Sequence, residues 1–203
     1  QVIQDMRRQV APYKFPLALT ECHFTMPGRN RCDLNSCWAA GVAYARFLNL
    51  HQRHGDLLKI ANLADFCGTR WQSNAIMLPV PGGKAYMMPV AKVMALYRKH
   101  SGRQFVAVSQ VPEFLDVVAS RSDNTLFLHV VNTHRTQARQ LNLSIPGRSI
   151  QSGKSFTIAA PPDAEIFSAA NDPMTVKEQS LTLSSPLVFP PASVTALELV
   201  TRA

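Results

Sequence analysis

A chain of 203 residues, 46% hydrophobic and 17% charged, has the composition of one large or two small folded domains, which excludes a disordered chain. It has no apolar run of the roughly 18 residues that cross a bilayer and no basic-then-apolar leader, so no membrane partner is expected. The formal net charge is +8, all of it in residues 1–102; the Lys and Arg there are scattered without interleaved aromatics, so the excess reads as a surface facing acidic parts rather than nucleic acid.

In chain order, residues 1–11 carry a helical pattern. Residues 15–21 read as a short buried strand ending on a lone carboxylate, Glu21, before the polar loop 26–31. A helix is expected over 34–54, with Asp33 as N-cap. Its apolar stripe is Leu34, Trp38, Val42, Ala45 and Leu48, and Gly55 can end it. Residues 57–63 read as a second buried strand. A further helix over 89–101 starts at Pro89 and stops at Gly102. Strand, helix, strand, helix predicts a parallel sheet.

After Gly102 the pattern is all β. Strands are expected over 104–109, 114–120, 125–132, 138–145, 155–160, 163–168, 175–183 and 194–200. Ser122-Asp123-Asn124 reads as a hairpin turn. Leu126, Leu128 and Val130 alternate with Phe127, His129 and Val131, so both faces of that strand are expected to be covered. The chain therefore divides into an α/β part, 1–102, and an antiparallel β-sandwich, 103–203.

A carboxylate at the carboxyl end of a parallel strand is a candidate catalytic group, the alternative being a solvated strand-end Glu. Two β-α units cannot close an eight-stranded barrel, and an open parallel pair leaves apolar surface uncovered. The first half thus reads as the end of something larger, and the chain as a fragment or one completed by another chain. The start at Gln1, without Met, agrees with processing or fragmentation. Cys22, Cys32, Cys37 and Cys67 follow no common zinc spacing, so no metal is expected. Cys37 is expected to be buried. Cys22 and His23 point opposite ways on an extended segment and cannot form a catalytic pair. His51 and His54 are read as surface residues.

Three motifs resemble the carboxyl-terminal portion of glycoside hydrolase family 51, the α-L-arabinofuranosidases. They are Leu-Ala-Leu-Thr-Glu at 17–21, Arg-His-Gly-Asp-Leu-Leu-Lys-Ile-Ala-Asn-Leu-Ala at 53–64, and Pro-Pro-Ala-Ser-Val-Thr-Ala-Leu-Glu-Leu at 190–199. The resemblance implies the last two β-α units of a (β/α)8 barrel over 1–102, followed by a jelly-roll-like β-sandwich with an open edge over 103–203. It implies that Glu21 is the nucleophile of a retaining glycosidase acting on arabinose-containing oligosaccharides or polysaccharides, without cofactor or metal. Such chemistry uses two carboxyl groups about 5–5.5 Å apart. The partner acid/base is expected in an Asn-Glu pair, and this sequence contains none. The chain alone is therefore expected to be inactive.

Gln72 is similar to the family's sugar-binding Gln, the alternative being a solvated loop amide. Trp71 reads as core before stacking platform. Cys22 stands where the family often has an aromatic residue. Other readings are an endoglucanase of the same family and a non-catalytic sandwich module that binds carbohydrate or a partner. Against the module, only Phe supplies aromatics after Tyr97. Members of the family often form symmetric assemblies, so the resemblance leaves open a homo-oligomer or a complementing chain that carries the rest of the barrel.

Overall fold

In a computed structural model of the protein, residues 1–22, 32–69, 75–79, 82–182 and 186–202 are described. The chain opens with helix α1 (Val2–Val10), followed by strand β1 (Leu17–Cys22), a single turn α2 (Cys32–Asn35), helix α3 (Trp38–Arg53) and strand β2 (Leu58–Leu63). Short strands β3 (Cys67–Gly68), β4 (Ile76–Met77) and β5 (Tyr86–Met87) lead into helix α4 (Pro89–Lys99). β1 and β2 pair in parallel with α3 between them, as a parallel connection requires. Arg7 of α1 grips Asp56, just before β2, through two hydrogen bonds of 2.6 and 3.0 Å. That guanidinium holds the Asp56 carboxyl down at about 2.

The rest of the chain is β: β6 (Gln104–Val106), β7 (Leu115–Ser122), β8 (Thr125–Asn132), β9 (Arg139–Leu141), β10 (Ser149–Ala159), β11 (Lys177–Ser180), β12 (Leu187–Phe189) and β13 (Ser193–Arg202). Six of these strands form one antiparallel sheet in the order β11-β10-β13-β8-β7-β6. β9 and β12 pair as a small second layer. The β7–β8 hairpin turns at Asp123 and Asn124, with Asp123 at φ 52°. This two-residue loop matches the twist of the strands it joins.

The main sheet is covered on both faces, giving a β-sandwich-like arrangement with a helical layer. On one face, Val131, Phe156, Ile158, Val194 and Ala196 join Trp38, Tyr44 and Ala45 of α3 and Val90, Val93 and Leu96 of α4 in a single apolar cluster. On the other, Leu115, Val117, Leu128, Val130, Leu197 and Leu199 form a second cluster, closed by Leu141 and Leu187 of the small layer. Along β8, Leu126, Leu128 and Val130 face the second cluster, while Val131 faces the helices. His129 points the same way, stacked on Tyr97 of α4 at 3.7 Å.

Two glycines allow the close approaches. A Cβ on Gly41 would meet the Trp38 ring at 2.6 Å and Pro89 at 3.3 Å, so α3 and α4 touch there. A Cβ on Gly102 would lie 2.4 Å from backbone of Arg121 where the chain passes from α4 into the sheet.

Several expectations need correction. β1 and β2 are not buried strands: Phe15 is 72% and Ile60 53% exposed, because among the described residues the two strands pair only with each other. The long helix begins at Trp38, with Cys37 and not Asp33 at its N-cap, and ends at Arg53. Its buried stripe runs through Trp38, Gly41, Ala45 and Asn49, leaving Val42 and Leu48 half-buried. Residues 163–168 form no strand, only isolated bridges, because their backbone serves α3. β12 was not anticipated, being three residues long beside a proline. His51 is half-buried, edge-on to Phe47 at 3.9 Å, and burial lowers its pKa.

His129 couples this packing to pH. Burial, aided by the nearby His100, lowers its pKa from 6.5 to about 3. The folded state therefore keeps the ring neutral while the unfolded chain takes up a proton. Its contribution is complete above pH 6.5 and is lost as pH falls toward 3, at up to about 1.4 kcal/mol per pH unit. Urea midpoints measured at pH 7 and pH 5 should drop for the native chain, and drop less in His129→Phe, which keeps a ring on Tyr97. Equal drops in both would contradict this assignment.

Candidate active site

The parallel pair fixes where Glu21 stands. Leu17 N–H donates to Leu57 O at 2.7 Å at the start of the pair, and Ala64 N–H donates to Cys22 O at 3.0 Å at its end. The carboxyl ends of β1 and β2 thus lie side by side, and the chain after β2 leaves from beside Cys22. Between the pairings Leu19↔Ala61 and Cys22↔Leu63, β1 advances three residues while β2 advances two. This extra residue is a bulge, a device that re-aims side chains. Half-burial alternates at Leu17 and Leu19 and then skips to Cys22, so Thr20 and Glu21 are both exposed.

Cys22 secures the strand end. It packs against the helix-side cluster, and its thiol donates to Asn62 O of β2 at 3.0 Å. Burial raises its pKa, so the thiol keeps the proton it donates. Glu21 therefore extends from a backbone tied to its neighbour on both sides of the bulge.

Glu21 stands next to last in β1, exposed rather than turned into an apolar interior. Gln72, Trp71, His23 and the loop 26–31 lie outside the described residues. Among the described residues no three His, Cys, Asp or Glu side chains come together, and no helix is long and apolar enough to cross a membrane. Cys37 is buried as expected, but at a helix N-cap, where its thiol donates to Glu165 Oε1 at 3.4 Å. Burial, with Glu165 second, pushes it up to about 11.

What sequence reasoning missed is the platform behind the acid. α3 links β1 to β2, and its first N–H groups are closed by the sandwich half. Trp38 N–H donates to Ala164 O at 2.9 Å and Ala39 N–H to Pro162 O at 2.8 Å. The Trp38 indole N–H donates to Ala192 O, with the side chain fully buried. Asn49 donates to the Asp116 carboxylate at 2.9 Å and accepts from the Tyr97 hydroxyl at 2.7 Å. An Asn on the same stripe as Trp38 and Ala45 was the available clue.

A crossover helix between parallel strands is seated on an antiparallel sheet, which makes this a sheet-rich α/β protein with a β-sandwich-like fold. Residues 27–193 match the α-L-arabinofuranosidase C-terminal domain family, and the chain belongs to that family. Its fold is similar to that of the thermostable family-51 α-L-arabinofuranosidase of Thermotoga petrophila RKU-1. The two are 21% identical, with a TM-score of 0.77 over 96% of this chain and 45% of that one. The α-L-arabinofuranosidase of Thermotoga maritima, in its arabinose complex, is likewise 21% identical, with a TM-score of 0.76 over 97% of this chain and 45% of that one. CelM2, a bifunctional glucanase-xylanase from a metagenome library, is 20% identical, with a TM-score of 0.66 over 100% of this chain and 34% of that one. The chain thus spans less than half the length of these structures. No curated protein matches it.

Thiol accessibility checks the platform. Brief alkylation at pH 8 followed by peptide mass mapping should modify Cys67, which is exposed, and spare Cys37. Equal labelling of the two would contradict the buried N-cap.

Proposed function

We propose that the chain is the carboxyl-terminal part of a retaining glycosidase that removes terminal α-L-arabinofuranosyl groups from arabinose-containing oligosaccharides or polysaccharides. In this reading residues 1–102 hold the last two β-α units of a (β/α)8 barrel, and 103–203 form the sandwich. The observation that supports it most is Glu21, exposed at the carboxyl end of a parallel pair whose neighbouring strand leads directly into the following loop. Family membership over 27–193 agrees with it.

Glu21 would attack the anomeric carbon and form a glycosyl-enzyme as the leaving oxygen takes a proton from an acid/base. That second carboxyl is absent from this chain in the reading proposed here: the sequence has no Asn-Glu pair, and the solved structures it resembles are more than twice as long. Gln72 would donate to and accept from sugar hydroxyls beside Glu21. No cofactor or metal takes part, since two carboxyl groups suffice for the displacement. The barrel is completed by further polypeptide, covalently continuous or from a complementing chain, or within a homo-oligomer. An endoglucanase specificity is the second reading, favoured by the likeness to CelM2; fold alone does not choose between them.

The chain alone should release no aryl alcohol from an aryl α-L-arabinofuranoside above the buffer rate. Turnover that disappears in Glu21→Gln would show that an acid/base is present after all. In the barrel-complete enzyme, Glu21→Ala should cost roughly 10³-fold or more in kcat/KM. Azide should restore turnover as a glycosyl azide of inverted anomeric configuration. Restoration without azide adduct would remove Glu21 from the nucleophile role.

A further inference from the structure

The second half of the chain is neutral overall, but its charges are segregated. At the turn end of the six-stranded sheet lie Arg103 before β6, Arg121 at the end of β7, Arg148 before β10 and Arg202 at the end of β13. Asp123 lies in the hairpin turn at this end, while Asp116 of β7 and Glu198 of β13 stand further along their strands. A cavity of about 280 Å³ opens there, lined by Val106, Arg121, Leu126, Ile145, Arg148 and Thr201 among others, and no Asp or Glu lines it. Register places Arg121 opposite both Gln104 and Leu126, on the face that carries the second apolar cluster. The cavity therefore continues that cluster outward, with an aliphatic floor and two guanidinium groups.

Both guanidiniums are aimed by neutral partners. Arg148 donates to Thr201 Oγ1 at 3.1 Å and to Asn124 Oδ1 at 3.4 Å. Arg121 donates through Nε to Gln104 Oε1 at 3.0 Å. Among the described residues neither forms an ion pair with a carboxylate. A guanidinium has five N–H donors in a planar fork suited to a carboxylate, and most of these donors are unspent here.

We propose that this cavity is a binding site for a carboxylate-bearing sugar, a uronic acid, held by Arg121 and Arg148 with its C–H face on Val106, Leu126 and Ile145. The anion part of this inference comes from the two arginines and the absence of a lining acid. The sugar part rests on the proposed glycosidase function. The volume lies just below the roughly 300–1,000 Å³ of sites for drug-sized ligands, which selects a single ring over an oligosaccharide. Charge-assisted bidentate bonds at the rim distinguish a uronic acid from a neutral hexose of the same size.

The test is isothermal titration of the chain at low ionic strength with D-galacturonate, D-galactose and sodium sulfate in parallel. Galacturonate should bind with a dissociation constant of roughly 1 mM, galactose should show no binding, and sulfate should bind at least severalfold more weakly than galacturonate. Arg148→Gln and Arg121→Gln, each checked for native circular dichroism, should each weaken galacturonate at least tenfold. Added salt should weaken the native chain's binding. No galacturonate binding, equal affinity for sulfate, or affinity unchanged in both variants would each overturn the proposal. The isotherm does not involve Glu21, so failure of the glycosidase reading would show in the azide experiment and leave this result as it stands.

Discussion

Helix α3 depends on a contact far away in sequence. An α-helix starts with N–H groups that have no partner of their own, and α3 has no side-chain cap to supply one. Pro162 and Ala164 supply their carbonyls instead, and Ala192 accepts from the Trp38 indole. A buried donor left unpaired costs about 1–3 kcal/mol. Burying an indole of roughly 200 Å² adds about 5 kcal/mol at ~25 cal/mol/Å². The helix that carries the crossover from β1 to β2 is thereby seated on the β half, and the strand bearing Glu21 takes its position from that seat.

A polar seam runs further along the same helix. Arg53 and Asn49 both meet the Asp116 carboxylate at the start of β7, and Tyr97 of α4 closes on Asn49. Beyond them His129 stacks on Tyr97, and His100 donates to Glu198 at 2.8 Å while stacking on Phe156 at 3.9 Å. Apolar packing alone would let α3 slide along the sheet. Hydrogen bonds of fixed geometry allow one register, and losing a partner in so dry a setting is costly. Among the described residues the outer surface of β1 and β2 has no such cover, and the two strands pair only with each other.

The parts of this arrangement that were legible in sequence are those set by local pattern. Alternation along 125–132 identified a strand covered on both faces. Pro89 and Gly102 bracketed α4, and Glu21 stood out as a lone acid after an apolar run. The parts that were not legible depend on distant residues. Residues 163–168 have a strand-like composition, but the Ala164 carbonyl is taken by α3 and the Ile166 N–H by Ser36 O. Asp33 is a good N-cap residue by type, yet the cap falls at Cys37 because the sandwich backbone supplies the acceptors there. The bulge that exposes Glu21 is a mismatch between two strands and has no trace in either strand alone. Gln72 was singled out by resemblance only, and it lies outside the described residues.

The helical layer and the main sheet form one cooperative unit joined at Trp38. In a Trp71→Phe background Trp38 is the sole indole, since the chain has two tryptophans. Urea unfolding followed by its fluorescence and by far-ultraviolet circular dichroism reports the joint and the sheet separately. The two transitions should coincide within error. Loss of the Trp38 signal at clearly lower urea, with the sheet intact, would contradict the account.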